Sequence, residues 1–320
     1  MKTGKRAQFV QILETIDGSA RLASFHFWRV SMVLLPLAFS VGCSVLGLSN
    51  SDPEDTTTTN VAPAQESEVS LLSAFYGLDD GLPPLARFLV CGGLPGSDGM
   101  PVVFSQEIDL ETMQAGDFRV VLGDDREGEI VCVTPAPAND TGELRTILMV
   151  GEFGSAADPP LRVEITGNLL SMDHRFNFRG DQVDVTRLED GPSLVLAESV
   201  PVEEWGLDQS ATRFPFGGGS GCPASTRQVV RVVWNGGVTK PGGDEIDDVE
   251  RSAYRVLVED EAGEAREVSP FAIGDLGDGD NNHELCLDTE DPALRVAFPG
   301  GLVTDPREDL NLETAVTVTR

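Results

Sequence analysis

The densest run of chemistry-bearing residues is Asp275-Leu276-Gly277-Asp278-Gly279-Asp280-Asn281-Asn282-His283-Glu284, followed by Asp288. Calcium takes about six to eight oxygens from carboxylates, amides and carbonyls, and alternating Asp and Asn on a glycine-bearing loop can supply them. Asp278, Asp280 and Asn282 fit the first three ligand positions of a D-x-D-x-N loop. The pattern then breaks. The sixth position, normally Gly, is His283, and the twelfth, normally Glu, is Thr289, with Glu290 one place late. The segment is not an EF-hand. Two readings stay open: a different calcium site made by Asp275, Asp278, Asp280 and Asn282, or an Asx-rich turn whose side chains bond their own backbone.

Other chemistry finds little support. A serine triad would need His174 or His283 as its base once the N-terminal region is set aside. There is no G-x-S-x-G elbow, no H-E-x-x-H, no P-loop and no dinucleotide fingerprint. Carboxylates are too abundant for any pair to point to glycoside hydrolysis. Trp205, in Glu203-Glu204-Trp205-Gly206, is the one aromatic with the look of a ligand contact, weighed against ordinary packing. The acidic run Gly243 to Glu250 reads as a solvated loop, and Gly123 to Glu129 as a hairpin connection.

Basic residues Lys2, Lys5, Arg6, Arg21 and Arg29 precede an apolar run, Val30 to Val41, and then Gly42-Cys43. This is the layout of a signal peptide. Phe39-Ser40-Val41-Gly42-Cys43 resembles the lipobox of bacterial lipoproteins, with Ser40 where Leu is usual. The resemblance implies that residues 1–42 are removed, that Cys43 is acylated, and that the chain is membrane-anchored outside the cytoplasm. Ser44 in place of Asp leans toward the outer membrane. The alternative is an uncleaved helix over Val30 to Leu48, just long enough to span. Without residues 1–42 the chain keeps 18 basic and 51 acidic residues, a formal charge of −33. Such a surface repels nucleic acid and attracts divalent cations.

Four further cysteines remain, Cys91, Cys132, Cys222 and Cys286, an even number that reads as disulfides in an exported chain. Three pairings are possible. Cys91–Cys132 and Cys222–Cys286 are favoured because each then lies within one domain. Short β-rich runs separated by Gly, Asp and Pro give an all-β expectation: two β-sandwich domains, 71–190 and 191–320, behind a disordered tether over 43–70. A single two-domain β unit with a shared interface is equally allowed. Candidate strands include Arg87–Cys91, Leu161–Thr166 with Leu161, Val163 and Ile165 facing inward, Gln228–Trp234 and Glu267–Ile273.

Pro101-Val102-Val103-Phe104-Ser105-Gln106-Glu107-Ile108-Asp109, with Thr112, Ala115, Asp117-Phe118 and Val120, resembles the opening of bacterial Ig-like domains of the S-layer-protein type. The resemblance spans about residues 98–172 and implies a sandwich; such domains serve as spacers, adhesin modules and binding units. The physical reading agrees, with Asp109 capping a helical turn and Phe104 and Phe118 in the core. The expectation is a non-enzymatic cell-envelope lipoprotein with a structural or binding role, calcium-stabilised if the Asp275–Asn282 loop binds the ion. Its partners would be the membrane, through Cys43, and an unidentified protein or glycan. The alternatives are a carboxylate-dependent envelope hydrolase and an accessory subunit of an envelope complex.

Overall fold

A computed structural model describes residues 69–82, 91–92, 96, 98–212 and 218–319. Cys43, the expected signal peptide and nearly all of the tether lie outside the described residues. The described part falls in one compact unit. It contains no helix long and apolar enough to cross a membrane.

Among the described residues, fifteen strands form two sheets. The first holds β1 (Leu71–Phe75), β2 (Asp98–Phe104), β3 (Phe118–Val121), β4 (Glu129–Thr134), β5 (Thr146–Glu152), β6 (Arg162–Ile165) and β7 (Gln182–Thr186). Their order is β3-β6-β7-β1-β2-β5-β4. This is the C-F-G-A-B-E-D order of an immunoglobulin sandwich, with β1 joined in parallel to β7. The second sheet holds β8 (Leu194–Ser199), β9 (Gln228–Trp234), β10 (Arg255–Glu259), β11 (Ala265–Val268), β12 (Ala272–Gly274), β13 (Asn282–Leu287), β14 (Ala293–Phe298) and β15 (Thr314–Thr319). Its order, β11-β10-β14-β15-β8-β9-β13-β12, repeats the first with one strand added at the edge, and β15 runs parallel to β8.

Each sheet folds over its own core. In the first, Phe104 meets Phe118 and Phe178 edge-on, with centroids 6.4 and 4.9 Å apart. In the second, Trp234 meets Phe298 at 5.3 Å. Its indole donates to the Tyr254 hydroxyl at 3.1 Å, and that hydroxyl lies 3.0 Å from His283 Nδ1. Disulfides join Cys91 to Cys132 and Cys222 to Cys286, with Cα atoms 6.0 and 5.7 Å apart.

The structure redraws several expected elements. Leu161 is 51% exposed and only Val163 and Ile165 of its segment are buried; β6 begins at Arg162. The segment 267–273 is two strands, because Pro270 cannot donate to a ladder. Residues 123–126 close a short hairpin, as expected: Val121 bridges Glu127 in antiparallel register, Leu122 N donates to Arg126 O at 2.8 Å and Gly128 N to Val120 O at 2.9 Å, and beyond it β3 pairs with β6 and β4 with β5. The acidic run 243–250 contains the start of a helix, α1 (Asp248–Ala253). Asp247 accepts from Val249 N while Glu250 accepts from Asp247 N, a capping box. Arg87 to Val90 lie outside the described residues, and Cys91 is helical. Asp109 caps the 3-10 turn Leu110–Thr112, accepting from Glu111 N at 3.0 Å.

Candidate functional site

The strand β9 decides where the site lies. Its sequence, Gln-Val-Val-Arg-Val-Val-Trp, is apolar on both faces after Gln228 except at Arg231. Val230, Val232 and Trp234 enter the second core. The opposite face would be wet in a lone sandwich, yet here it is covered. Val233 packs with Leu196 of β8 and with Val103 of β2, so the first sandwich sits against this face. Asn281 Nδ2 donates across the junction to Thr146 Oγ1 at 3.2 Å.

Arg231 is thereby trapped between the two sandwiches. It donates to Glu198 and Glu284 at 3.2 Å each, and to the main-chain carbonyls of Gly142 and Thr141 at 3.2 and 3.3 Å. Arg145, from the first sandwich, donates to both oxygens of Glu198 at 2.9 Å. Burial works against the charge of both guanidiniums. It pushes Arg145 down, whereas for Arg231 it is more than offset by Glu284 and Glu198, with Glu143 and Asp275 adding to them. A pair this deep is costly to break, because the survivor stays buried and uncompensated.

Next to this network lies an acidic cluster drawn from both sandwiches. Asp140 and Glu143 come from the β4–β5 loop and Asp275 from the β12–β13 loop. One carboxylate oxygen from each lies within 4.8 Å of the other two. Asp278 converges on the same place. An added Cβ at Gly219 would sit 2.4 Å from Asp275 Oδ1 and 2.8 Å from Asp278 Oδ2, and one at Gly218 would sit 2.5 Å from Asp140 Oδ2. The glycines are there because the carboxylates need the space. Gly219 N donates to Asp140 Oδ2 at 3.0 Å. A cavity of about 310 Å³ opens beside the cluster, lined by Asp140, Glu143, Asp275, Glu284 and Arg231, with Glu203 and Glu204 also on its wall.

The electrostatics are one-sided. Burial, then the neighbouring Asp275, pushes Glu143 up to about 10. Burial, then Asp280, pushes Asp275 up to about 9. Asp278 is raised by burial with Asp140 adding to it, and Asp280 is raised well above the usual range by burial, Glu143 and Asp278. Among the described residues none of Asp140, Glu143, Asp275, Asp278 and Asp280 forms an ion pair with a basic side chain within 4.0 Å.

Of the four sequence-derived candidates, the structure brings Asp275 and Asp278 to the cluster. Asp280 is spent on its own turn: its oxygens accept from Asn282 N at 2.8 Å and Asn282 Nδ2 at 2.9 Å. Asn282 belongs to β13 and is turned to that bond. So the Asx turn is present, and it holds part of the loop. Asp140 and Glu143 were missed, because Asn139-Asp140-Thr141-Gly142-Glu143 reads as an ordinary turn and lies over 130 residues upstream of Asp275.

Other candidates resolve as structure. Trp205 donates from Nε1 to Val200 O at 2.9 Å and packs beside Cys222 and Cys286, so it is a packing residue and not a free platform. The ring of His174 bonds Asp109 and that of His283 bonds Tyr254, so no serine–histidine pair forms among the described residues. A second acidic group, Asp80, Asp98 and Glu152, is centred on buried Asp98. That residue already accepts from Asp80 N at 2.8 Å and Phe153 N at 2.6 Å.

No family model matches the chain, and no curated protein matches it. Among solved structures it is similar to the N-terminal part of the bacterial S-layer protein SbsC, at 11% identity over 79% of this chain and 44% of that one, with a TM-score of 0.25. The chain therefore spans less than half of that structure's length, and at this similarity the likeness supports no statement of function.

Proposed function

We propose that this chain is a non-enzymatic lipoprotein of the cell envelope whose two immunoglobulin-like sandwiches act as one stiff structural or binding module. The observation that carries the reading is the junction. Arg231 of the second sandwich is buried on Gly142 and Thr141 carbonyls of the first, while Arg145 of the first is buried on Glu198 of the second. A hinge between free-moving domains would leave such groups wet. The envelope placement is supported by the Cys43 pattern, by two disulfides that take up the other four cysteines, and by the strongly acidic composition.

The hydrolase alternative is supported less well. Carboxylate catalysis needs one group held protonated beside one held ionised. Here Glu143, Asp275, Asp278 and Asp280 are all pushed the same way.

Two measurements test the proposal. Cys43→Ala should accumulate as a non-acylated precursor, and normal acylation of that variant would remove the anchor. Spin labels placed one in each sandwich should give a single narrow distance distribution; a broad one would remove the stiff module.

A further inference from the structure

Five acidic residues converge at the junction without a basic partner, although the two nearby arginines are matched by two other carboxylates. Arg145 and Arg231 are already engaged by Glu198 and Glu284. Arg231 also faces Glu143 and Asp275 through space. Its Nη atoms are nevertheless committed to those two glutamates and to main-chain carbonyls, and its Nε is buried without an acceptor. A native fold does not gather buried like charges without a compensating group.

One side chain shows where that group belongs. Asp275 is 7% exposed, and its Oδ2 is buried with no donor in reach. Its Oδ1 points to the Gly219 floor beside Asp278 Oδ2. The side chains facing its carboxyl are two more carboxyls, Asp140 and Glu143, of which Glu143 is within hydrogen-bond reach. The backbone at Asp275 is left-handed, φ 61°, a conformation that the loop must hold to aim this side chain inward.

We propose that the junction binds a divalent cation, held by Asp140 and Glu143 of the first sandwich and by Asp275 and Asp278 of the second, and that calcium is the ion its chemistry selects. The inference rests on the reading of the two sandwiches as one unit, since the ligands come from both. The donor set is oxygen only, with no His or free Cys, which disfavours zinc and suits a hard cation. Three oxygens of Asp140, Glu143 and Asp275 mutually within 4.8 Å share a centre at most about 2.8 Å from each, close to the calcium range of about 2.3–2.6 Å and wide for magnesium at about 2.1 Å. Asp280 is a positioning residue: it fixes the turn through Asn282 and adds negative field without giving up its oxygens. The ion would turn the mutual repulsion of these carboxylates into a shared bond.

The test uses the full chain, stripped with chelator and then titrated with calcium chloride, with magnesium chloride as the control. The expected result is one equivalent of calcium per chain by calorimetry. At a hundredfold excess over Kd the melting temperature should rise by about 5–10 °C. In Glu143→Gln/Asp275→Asn, binding should weaken at least tenfold and the rise should disappear. That variant should melt higher than wild type when both are metal-free, because the repulsion is gone; this outcome separates loss of a ligand from misfolding. No binding at several millimolar calcium, or a rise that persists in the double variant, would overturn the site. The inter-sandwich distance separates the two readings. A narrow distribution without calcium binding leaves the stiff module and removes the ion; a broad distribution in saturating calcium removes both.

Discussion

The Arg231 guanidinium lies directly over Gly142: Nη1 donates to the Gly142 carbonyl at 3.2 Å, and a Cβ on Gly142 would sit 2.1 Å from that same nitrogen. Gly142 also has φ 89°, where side chains are strained. Gly142→Ala is therefore expected to cost about 2–4 kcal/mol, from backbone strain and from expulsion of a buried cation. Urea unfolding followed by tryptophan fluorescence measures it. A change under 1 kcal/mol would mean the junction is looser than the structure shows.

Arg231→Ala removes the guanidinium and leaves Glu284 buried without its partner. The expected loss is about 3–5 kcal/mol. Arg231→Ala combined with Glu284→Ala should recover part of it, and the coupling in a double-mutant cycle isolates the pair.

Breaking the disulfide that closes 64 residues in the second sandwich, with Cys222→Ser/Cys286→Ser, should cost about 4 kcal/mol in chain-entropy terms. The loss should be visible in a chemical melt under non-reducing conditions, and wild type under reductant should move toward the variant.

His283 gives an acid response. Burial depresses it to about 4 from the ordinary 6.5, so the folded protein keeps the ring neutral while the unfolded chain protonates it. Its stabilisation is fully present above pH 6.5 and is lost as the pH falls toward 4, amounting to about 2 kcal/mol by pH 5. The raised carboxylates Glu143 and Asp275 act in the opposite sense, since they take up protons in the fold and lose stability as pH rises. Comparing wild type with His283→Gln at each pH cancels them. The gap between the two proteins should narrow by about 2 kcal/mol between pH 7.5 and pH 5.

The legible part of the fold is the part written in local pattern. Gln228–Trp234 reads as a buried central strand because only Arg231 interrupts it, and Phe104 and Phe118 read as core because they end and begin strands. Leu71–Phe75 is not legible, since five residues with a Ser inside carry little periodicity, and Pro270 breaks what alternation alone reads as one strand. The oxygen-rich loop at Asp275 was legible as an oxygen donor. Its partners were not, because nothing local marks Asp140 and Glu143 as neighbours of residues in another sandwich. That proximity is made by the apolar outer face of β9, and Arg231 within that strand is the trace it leaves in the sequence.

The parallel pairing of β1 with β7, and of β8 with β15, has a mechanical consequence. Ala74 lies opposite Val185, and Val318 opposite Ala197. Parallel first and last strands mean that the chain enters each sandwich at one pole and leaves at the other. A pull applied through those two points loads the interstrand hydrogen bonds sideways, all together, and does not peel them one at a time. Each sandwich is thus built as a link that carries tension along its length.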